Sequence, residues 1–398
     1  MAAIMLFAAS VVLGFGLVYS ASKLAPRVGL LDRPGGRKTH SAPVPVVGGI
    51  GMFLAFAALI PFTDAPASLS VPLLCACALV VATGFLDDLK DLRPLPKFVA
   101  QVAAATLMSA GAGFALTDLG HLLGPWTLSL SVLAVPFTVF AAVGVMNAIN
   151  MSDGVDGLAG GIAFIAVVWF IVAALAGGTH YADELLAFGG VVGAFLLLNM
   201  RGPWRGRAAV FMGDAGSLFL GLVLAWFAVA LATSPGSALS PIAAVWVLAL
   251  PITDTLAAMA RRAVRGKSPF HADREHAHHL LLAAGYSDRE TVALLLFSSL
   301  VFGAVGVGGW MLGVPDYVMF YAYGALFAVH FVAVMNAGSV VNLLRRGGRY
   351  ELRRDQAPPI AIDTGVPFVR RAGATMVGPA VAARKRTRPA EPRAKERA

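Results

Sequence analysis

The chain has 398 residues, of which 58% are hydrophobic and only 13% are charged, and its mean hydropathy is +0.75. Soluble domains are closer to half apolar, with about a quarter of their residues charged. The composition therefore excludes an ordinary cytosolic protein and predicts an all-α, polytopic integral membrane protein. The net charge of +9 does not indicate nucleic-acid binding, because residues 345–398 alone carry 14 basic and 5 acidic side chains, an excess that accounts for all of it.

Apolar runs predict eleven membrane-spanning helices, since one span needs about 20 apolar residues. The alternative for the first run is a cleaved signal peptide, but its positive residues, Lys23 and Arg27, follow the apolar stretch instead of preceding it. In chain order, the runs cover residues 3–22, 46–63, 70–86, 98–116, 128–148, 158–177, 185–200, 209–233, 239–260, 291–312 and 317–343.

The segments between the runs alternate in charge. All 31 Lys and Arg residues fall on one side of the predicted membrane. The positive-inside rule makes this side cytoplasmic, so we expect the N-terminus outside and the C-terminus inside. We divide the chain into a transmembrane domain, 1–344, and a basic, disordered cytoplasmic tail, 345–398, which we expect to contact anionic lipids. The segments on the opposite side, 64–69, 117–127, 178–184, 234–238 and 313–316, contain no Lys or Arg, and the loop 149–157 falls on the cytoplasmic side but also carries none.

Polar residues at membrane depth are candidates for function, and here they gather in five clusters on the predicted cytoplasmic side. The first cluster runs from Asp32 to His40. Lys38 and His40 lie next to a glycine pair there, a composition that suits an anionic phosphate. Ordinary positive charge of a cytoplasmic loop is the alternative interpretation of this cluster.

The second cluster joins the third and fourth predicted helices. Asp87 and Asp88 end one helix, and Lys97 begins the next. Carboxylates this close repel one another unless a cation intervenes. Mg²⁺ commonly uses one or two carboxylates together with substrate phosphates, so the cluster predicts a place for a metal or a lipid phosphate. A solvated helix end is the alternative.

The next two clusters interrupt apolar sequence with glycine and acids. In the third, Asn150, Asp153 and Asp156 lie among two Asp-Gly pairs, which predict an irregular loop at the membrane surface. In the fourth, Asp214 stands between two glycines at the start of an apolar helix. The depth of this Asp in the membrane favours a functional role.

The fifth cluster is a histidine-rich loop. It contains Arg274, His276, His278 and His279, and Asp254 precedes it inside the membrane end of a helix. These histidines could bind zinc. However, the chain has no thiol nearby, and the surrounding Arg and Lys residues favour contact with phosphate.

Taken in this order, the five clusters resemble the polyprenyl-phosphate N-acetylhexosamine-1-phosphate transferase family, glycosyltransferase family 4, from about Gly29 to Leu280. The resemblance implies a phosphoglycosyl transferase that moves an N-acetylhexosamine-1-phosphate from a UDP-sugar to undecaprenyl phosphate and releases UMP. It also implies that this reaction is the first membrane step of cell-envelope polysaccharide synthesis in a bacterial inner membrane. Mg²⁺, with Mn²⁺ as an alternative, is the implied cofactor.

By the same resemblance, Asp214 would be the main metal ligand, and Asp87 and Asp88 would serve the metal or the lipid phosphate. Asp153 and Asp156 would shape the nucleotide site. The expected substrate-binding residues are Lys38, His40, Lys97, Asn150, Asn199, Arg274, His276, His278 and His279. The expected partners are the two substrates and anionic lipids, with a homodimer as an alternative to the monomer, and without nucleic acid.

The histidine-rich loop also points to one branch of the family. The peptidoglycan branch, which transfers phospho-MurNAc-pentapeptide, carries three consecutive histidines, whereas Ala277 interrupts them here. This difference favours UDP-GlcNAc or another plain UDP-N-acetylhexosamine as the donor. The further alternatives are a transporter, which should carry charges midway through its spans, and an intramembrane prenyltransferase, which has no use for the histidine-rich loop.

Overall fold

The computed structural model describes residues 2–33, 43–202, 205–233, 238–268 and 276–347. In this part of the chain, nearly all regular structure is helical, which confirms the predicted all-α membrane fold. The helices are α1 Ala2–Val28, α2 Gly48–Leu59, α3 Ala67–Lys90, α4 Pro94–Thr106, α5 Ala134–Ser152, α6 Leu158–Ala176, α7 Ala182–Asn199, α8 Gly213–Thr233, α9 Pro241–Val247, α10 Ala249–Val264, α11 Ala277–Ala284, α12 Asp288–Met311, α13 Asp316–Met335 and α14 Ala337–Gly347.

Eight of the described helical segments are long and apolar enough to cross a membrane, and the bent pair α9–α10 raises the number to nine. The second and fourth predicted spans correspond to shorter segments. The second is the apolar stretch Gly48–Phe62, and the fourth is α4, which continues into a π-helical turn, Leu107–Gly111. The predicted number of eleven spans therefore stays a prediction.

The sequence predicted one straight helix for the apolar run 239–260, and this prediction is wrong. It forms α9 and α10, which meet at Leu248 with a bend of 85°. Pro251 explains the break, because proline has no backbone N–H and its ring clashes with the carbonyl four residues earlier, that of Val247. The bend brings the polar first half of α10, including Asp254, close to the histidine-rich segment.

The run 317–343 also divides into two helices, α13 and α14, where a single helix was predicted. The break lies at Asn336, whose backbone leaves helical geometry and whose side chain donates to the carbonyl of Val332 at 2.9 Å. Asparagine side chains compete with the backbone in this way and so disfavour helix interiors. Because α14 ends at Gly347, most of the predicted tail, 348–398, lies outside the described residues, and the division at 345 stays a prediction.

Helix α8 is the centre of the bundle, and α2, α3, α5 and α6 pack around it. A short antiparallel pair, β1 Leu31–Asp32 and β2 Val44–Pro45, lies beside its N-terminus. The carbonyl of Pro45 accepts the N–H of Phe211 at 2.8 Å. The two ends of the segment that carries the first polar cluster are therefore anchored next to the start of α8.

Contacts between loops follow the charge pattern. Among the segments without Lys or Arg, the backbone N–H of His121 donates to Asp316, and Gly177 packs against Ala238. Among the basic segments, the guanidinium of Arg289 donates to the carbonyl of Gly202 at 2.9 Å. Each of these contacts joins segments of the same predicted set.

Candidate active site

An ammonium group between two carboxylates forms the centre of the site. Lys97 Nζ lies 2.7 Å from Asp87 Oδ2 and 3.1 Å from Asp214 Oδ2. The three residues come from α4, α3 and α8. Asp87 also accepts the backbone N–H of Leu92 at 2.7 Å, which fixes its carboxylate as the chain turns from α3 into α4.

Asp88 caps the N-terminus of α8. Its two oxygens accept the backbone N–H groups of Asp214, at 3.0 Å, and Ala215, at 3.3 Å. The first N–H groups of a helix have no partner within the helix, and a carboxylate there also faces the positive end of the helix dipole. Asp88 thereby fixes the first turn of α8, and with it the position of the Asp214 carboxylate.

Glycines allow the helices to approach this closely. A Cβ atom on Gly84 of α3 would lie 2.3 Å from the backbone nitrogen of Ala215, and one on Gly49 of α2 would lie 2.1 Å from the nitrogen of Gly216. At Gly213, where φ is +70°, a Cβ atom would lie 2.4 Å from an oxygen of Asp88. Helices α2 and α3 can therefore approach the start of α8 this closely only because these positions have no side chain.

Asn150 connects α5 to the same centre. Its Nδ2 group donates to Asp214 Oδ1 at 2.9 Å and lies 2.8 Å from Ser217 Oγ. One turn earlier on α5, Asn147 donates to Gln101 of α4 at 2.6 Å. The Asn147–Gln101 pair holds α4 and α5 together about one helical turn away from Lys97 and Asn150.

The loop 153–157 carries a carboxylate that is still available for a ligand. Asp153 is exposed, and within the described residues its carboxylate accepts no hydrogen bond. Partial desolvation by the neighbouring protein, together with the nearby charges of Asp214, Asp156 and Asp88, raises the pKa of Asp153 to about 7. A cation bound beside these carboxylates would relieve their repulsion.

Asp156 and Asn199 hold the loop in place. Arg201 Nε donates to Asp156 Oδ2 at 2.7 Å, and the other end of the Arg201 guanidinium reaches Asp288 at the start of α12. Asn199, which is only 3% exposed, accepts the N–H of Gly157 and donates to the carbonyl of Val210, each at 2.8 Å. Both residues have their polar atoms directed toward the protein in this structure.

The three described histidines of the fifth cluster lie together against this loop. The rings of His278 and His279 have centroids 4.0 Å apart, and the His276 ring lies about parallel to that of His278. A Cβ atom on Gly154 would lie 2.3 Å from His278 Nε2. Burial, with a contribution from the neighbouring His279, lowers the pKa of His278 to about 3, so His278 is neutral at physiological pH.

The structure therefore brings together most of the described residues that the sequence singled out. Asp87, Asp88, Lys97, Asn150 and Asp214 form one network, and the loop 153–157 meets His278 beside it. Three of the predicted substrate-binding residues lie outside the described residues: Lys38, His40 and Arg274.

Arg201 is a site residue that the sequence does not mark, and neither Gln101 nor Asp254 had a predicted role. Arg201 binds Asp156, but in the sequence it is one of several basic residues in a loop, so nothing there distinguishes it. Asp254 offered a signal, because an acid at membrane depth is expensive. Its partners, His276 and His330, lie 22 and 76 residues further along the chain, and no local pattern connects them.

The donor atoms at this site suit Mg²⁺, which prefers oxygen ligands. Among the described residues, no group of three or more His, Cys, Asp or Glu side chains is arranged to hold a metal ion. Mg²⁺ does not require one, because it usually keeps several waters and binds one or two carboxylates together with substrate phosphates. The facing oxygens of Asp87 and Asp214, which already hold the ammonium of Lys97 between them, fit that description.

Comparisons with known proteins agree with the motifs. The sequence model of glycosyl transferase family 4 matches residues 70–232. The chain is 34% identical to an undecaprenyl-phosphate alpha-N-acetylglucosaminyl 1-phosphate transferase of Yersinia pestis, over 83% of this chain and 90% of the relative. It is 33% and 32% identical to the proteins of the same name from Salmonella typhimurium and Escherichia coli K12, over 85% of this chain and 92% of each relative.

Proposed function

The chain belongs to glycosyl transferase family 4, and we propose that it transfers N-acetylglucosamine-1-phosphate from UDP-GlcNAc to undecaprenyl phosphate and releases UMP. The names of its bacterial relatives support both substrates. The observation that carries the proposal is the network of Lys97, Asp87, Asp214 and Asn150 at one end of the bundle, with the histidine cluster beside it. We also propose that this end faces the cytoplasm of a bacterial inner membrane, where the nucleotide sugar is available.

The reaction brings two anions together, and the site has groups for that task. The lipid phosphate attacks the β-phosphorus of the donor. A new P–O bond forms, the bond from the β-phosphorus to the bridging oxygen breaks, and UMP leaves with that oxygen and its electron pair. The second pKa of a phosphate monoester is about 6, so the acceptor is largely dianionic at neutral pH and needs no general base. A covalent aspartyl-phosphate route is the alternative.

We propose that Mg²⁺, or Mn²⁺ in its place, binds with the substrates at Asp214 and Asp87. The described part of the site has four neighbouring carboxylates, those of Asp87, Asp88, Asp153 and Asp214, and the ammonium of Lys97 contacts two of them, Asp87 and Asp214. The metal would supply positive charge to stabilise the phosphate oxygens. Asp88 would act mainly through the backbone of α8, which it caps, and Lys97 would contact phosphate oxygens as the carboxylates turn to the metal.

On the donor side, we propose that loop 153–157 and the histidines of α11 enclose the nucleotide sugar. His278 Nε2 is buried and, within the described residues, has no hydrogen-bond partner. A buried polar atom without a partner is costly, so it marks a place where a ligand atom would bind. We propose that Arg274, Lys38 and His40 contribute further contacts with phosphate.

A donor panel tests the function directly. Purified protein is incubated with undecaprenyl phosphate, MgCl₂ and each UDP-sugar in turn, and both UMP and lipid-linked product are measured. UDP-GlcNAc should give both products, and UDP-MurNAc-pentapeptide should give neither. Turnover of the pentapeptide donor would assign the chain to the peptidoglycan branch. Failure to form lipid-linked product from any UDP-sugar would exclude the transferase function and favour the transporter or prenyltransferase alternatives.

A further inference from the structure

Helix α11, which carries His278 and His279, is too short to be stable alone. It has eight residues, whereas isolated helices shorter than about 12–15 residues are marginal in water. Its N-cap residue, His276, makes no capping hydrogen bond with its own side chain. The position of these histidines must therefore be set by contacts from other helices.

The N-terminus of α11 is capped from outside by Asp254 of α10. Asp254 Oδ1 accepts the backbone N–H of Ala277 at 2.8 Å, and Asp254 Oδ2 accepts Nδ1–H of His276 at 2.9 Å. The carboxylate thus binds the first two residues of the segment at once. It also places negative charge at the helix N-terminus, where the helix dipole favours it.

His330 of α13 supports this carboxylate from the other side. Its Nε2 group lies 3.2 Å from Asp254 Oδ1. Asp254 is only 8% exposed, and a buried carboxylate needs hydrogen bonds and opposite charge to remain ionised. His276, Ala277 and His330 provide three donors that meet this need, and two of them hold the N-terminus of α11.

The C-terminal end of α11 is held separately, by a small apolar cluster. Ala257, Leu280, Ala283, Val334 and Val341 pack together there, apart from the main core. Arg345 of α14 donates to the carbonyl of Ala283 at 2.6 Å. This cluster fixes the position of the C-terminal half of α11. The Asp254 contacts fix the N-terminal end, which carries the histidines.

We infer that Asp254 is a positioning residue for the donor site, acting through α11, with His330 as its support. The position of α11 decides how His278 meets loop 153–157, and the fit is tight enough that Gly154 has no room for a side chain. If the first turn of α11 shifts, the histidines leave the donor, while Asp87, Lys97 and Asp214 stay in place. The inference rests on the proposed function, because it assigns the histidines to the nucleotide sugar.

The test is Asp254→Asn, which keeps the size of the side chain but replaces one acceptor with a donor. We expect the KM for UDP-GlcNAc to rise by about tenfold and the KM for undecaprenyl phosphate to change by less than about twofold, since the weakened hydrogen bonds to a charged group hold α11, which faces only the donor. Calorimetric titration with UDP-GlcNAc and MgCl₂, without acceptor, should show the same loss of affinity.

The matched control is Tyr323→Phe. Tyr323 OH bonds to Thr253 Oγ1 at 3.0 Å, so this pair links the same two helices, α10 and α13, without touching α11. Both KM values of the Tyr323→Phe protein should stay within about twofold of those of the wild type. If Asp254→Asn does not fold, His330→Leu provides the second test, because it removes one donor and leaves both contacts to α11. It should raise the KM for UDP-GlcNAc alone, by a smaller factor.

Two outcomes would overturn the inference while leaving the proposed function intact. One is wild-type affinity for UDP-GlcNAc in a folded Asp254→Asn protein. The other is an equal loss for both substrates, which would indicate a general loss of stability. By contrast, a wild-type protein that neither binds UDP-GlcNAc nor releases UMP from it would contradict the proposed function itself.

Discussion

At the scale of single residues, the site depends on which oxygen atoms already have partners. Asp87, Asp88 and Asp214 are all acids at membrane depth, but their surroundings differ. Asp88 binds two backbone N–H groups of α8, whereas the oxygens of Asp214 face the side chains of Lys97 and Asn150. We therefore expect substitutions of Asp88 to act on the position of α8 and substitutions of Asp214 to act on the reacting phosphates.

Asp214→Asn should keep the fold, because the side chain stays the same size, and should reduce turnover by at least about a hundredfold through the loss of a charged group at the phosphates. Raised MgCl₂ should not restore it. UMP release measures the effect. Asp91→Asn is the control, since Asp91 has φ +52°, which Asn adopts readily, and it should stay active. Turnover near the wild-type rate in Asp214→Asn would move the proposed metal site to Asp87 and Asp88.

Asn199 provides the contrasting case. Its amide accepts from Gly157 and donates to the carbonyl of Val210, so Asn199→Asp would place a carboxylate oxygen against a carbonyl oxygen. We expect a loss of about 2 kcal/mol in stability, as for a buried polar group without its partner, seen as a lower midpoint of thermal unfolding in detergent. Asn342→Asp, on the exposed surface of α14, should leave the midpoint unchanged. A stable Asn199→Asp protein with weakened substrate binding would instead support the substrate contact expected from the sequence.

At the scale of helices, glycines decide how closely α2 and α3 approach α8. Small residues at helix interfaces allow backbone contact in membranes. Around α8 the contact is with the backbone itself, at Gly49 and Gly84. A side chain at either position would push a whole helix away, and the functional residues on that helix would move with it.

Gly84→Ala tests this packing. The added methyl group would meet the backbone of Ala215, which cannot move aside alone, so α3 must shift. Overpacking of this kind costs about 1–3 kcal/mol, and we expect both a lower unfolding midpoint and a large loss of activity, since Asp87 and Asp88 lie on the next turn. Gly144→Ala, in α5, is the control, because its Cβ atom meets nothing within 4 Å. Equal behaviour of the two variants would contradict the packing argument.

The C-terminal helix and the tail should be separable. Truncation after Gly347 keeps α14 and its contact with α11, and removes residues that contain none of the site motifs. Specific activity in detergent should therefore stay close to that of the full chain. Binding to vesicles with anionic lipids should weaken, because each basic residue near such a surface contributes about 1 kcal/mol. A truncated protein that is folded but inactive would show that the tail takes part in the site.

At the scale of the whole molecule, the charge pattern predicts the orientation in the membrane. Cysteine labelling tests this orientation. Cys75 and Cys77 are first changed to serine, and a single cysteine is then introduced in place of Ser68 in one protein and of Ser268 in another; both positions are exposed. A membrane-impermeant thiol reagent added outside should label the cysteine at 68, and the cysteine at 268 should react only after the membrane is opened. Labelling at 268 from outside would reverse the orientation and remove the argument for a cytosolic donor.

The membrane class, most of the helices and the residue types of the site could be predicted from the amino-acid sequence alone. These follow from hydropathy, from charge and from short motifs, and all three are local properties. The resemblance of five ordered motifs also identified the family. The breaks at Leu248 and Asn336 were missed because hydropathy does not record them, although Pro251 and Asn336 are visible in the sequence.

The pairing of polar atoms, in contrast, could not be predicted and depends on the packing of the helices. Lys97 and Asp214 are 117 residues apart in sequence, and no pattern in the chain pairs them. The same holds for Arg201 with Asp156 and for His330 with Asp254. The physical reason is that a buried charge accepts whichever partner the packing brings within about 3 Å. That packing depends on all the helices together, including the glycines at which their backbones touch.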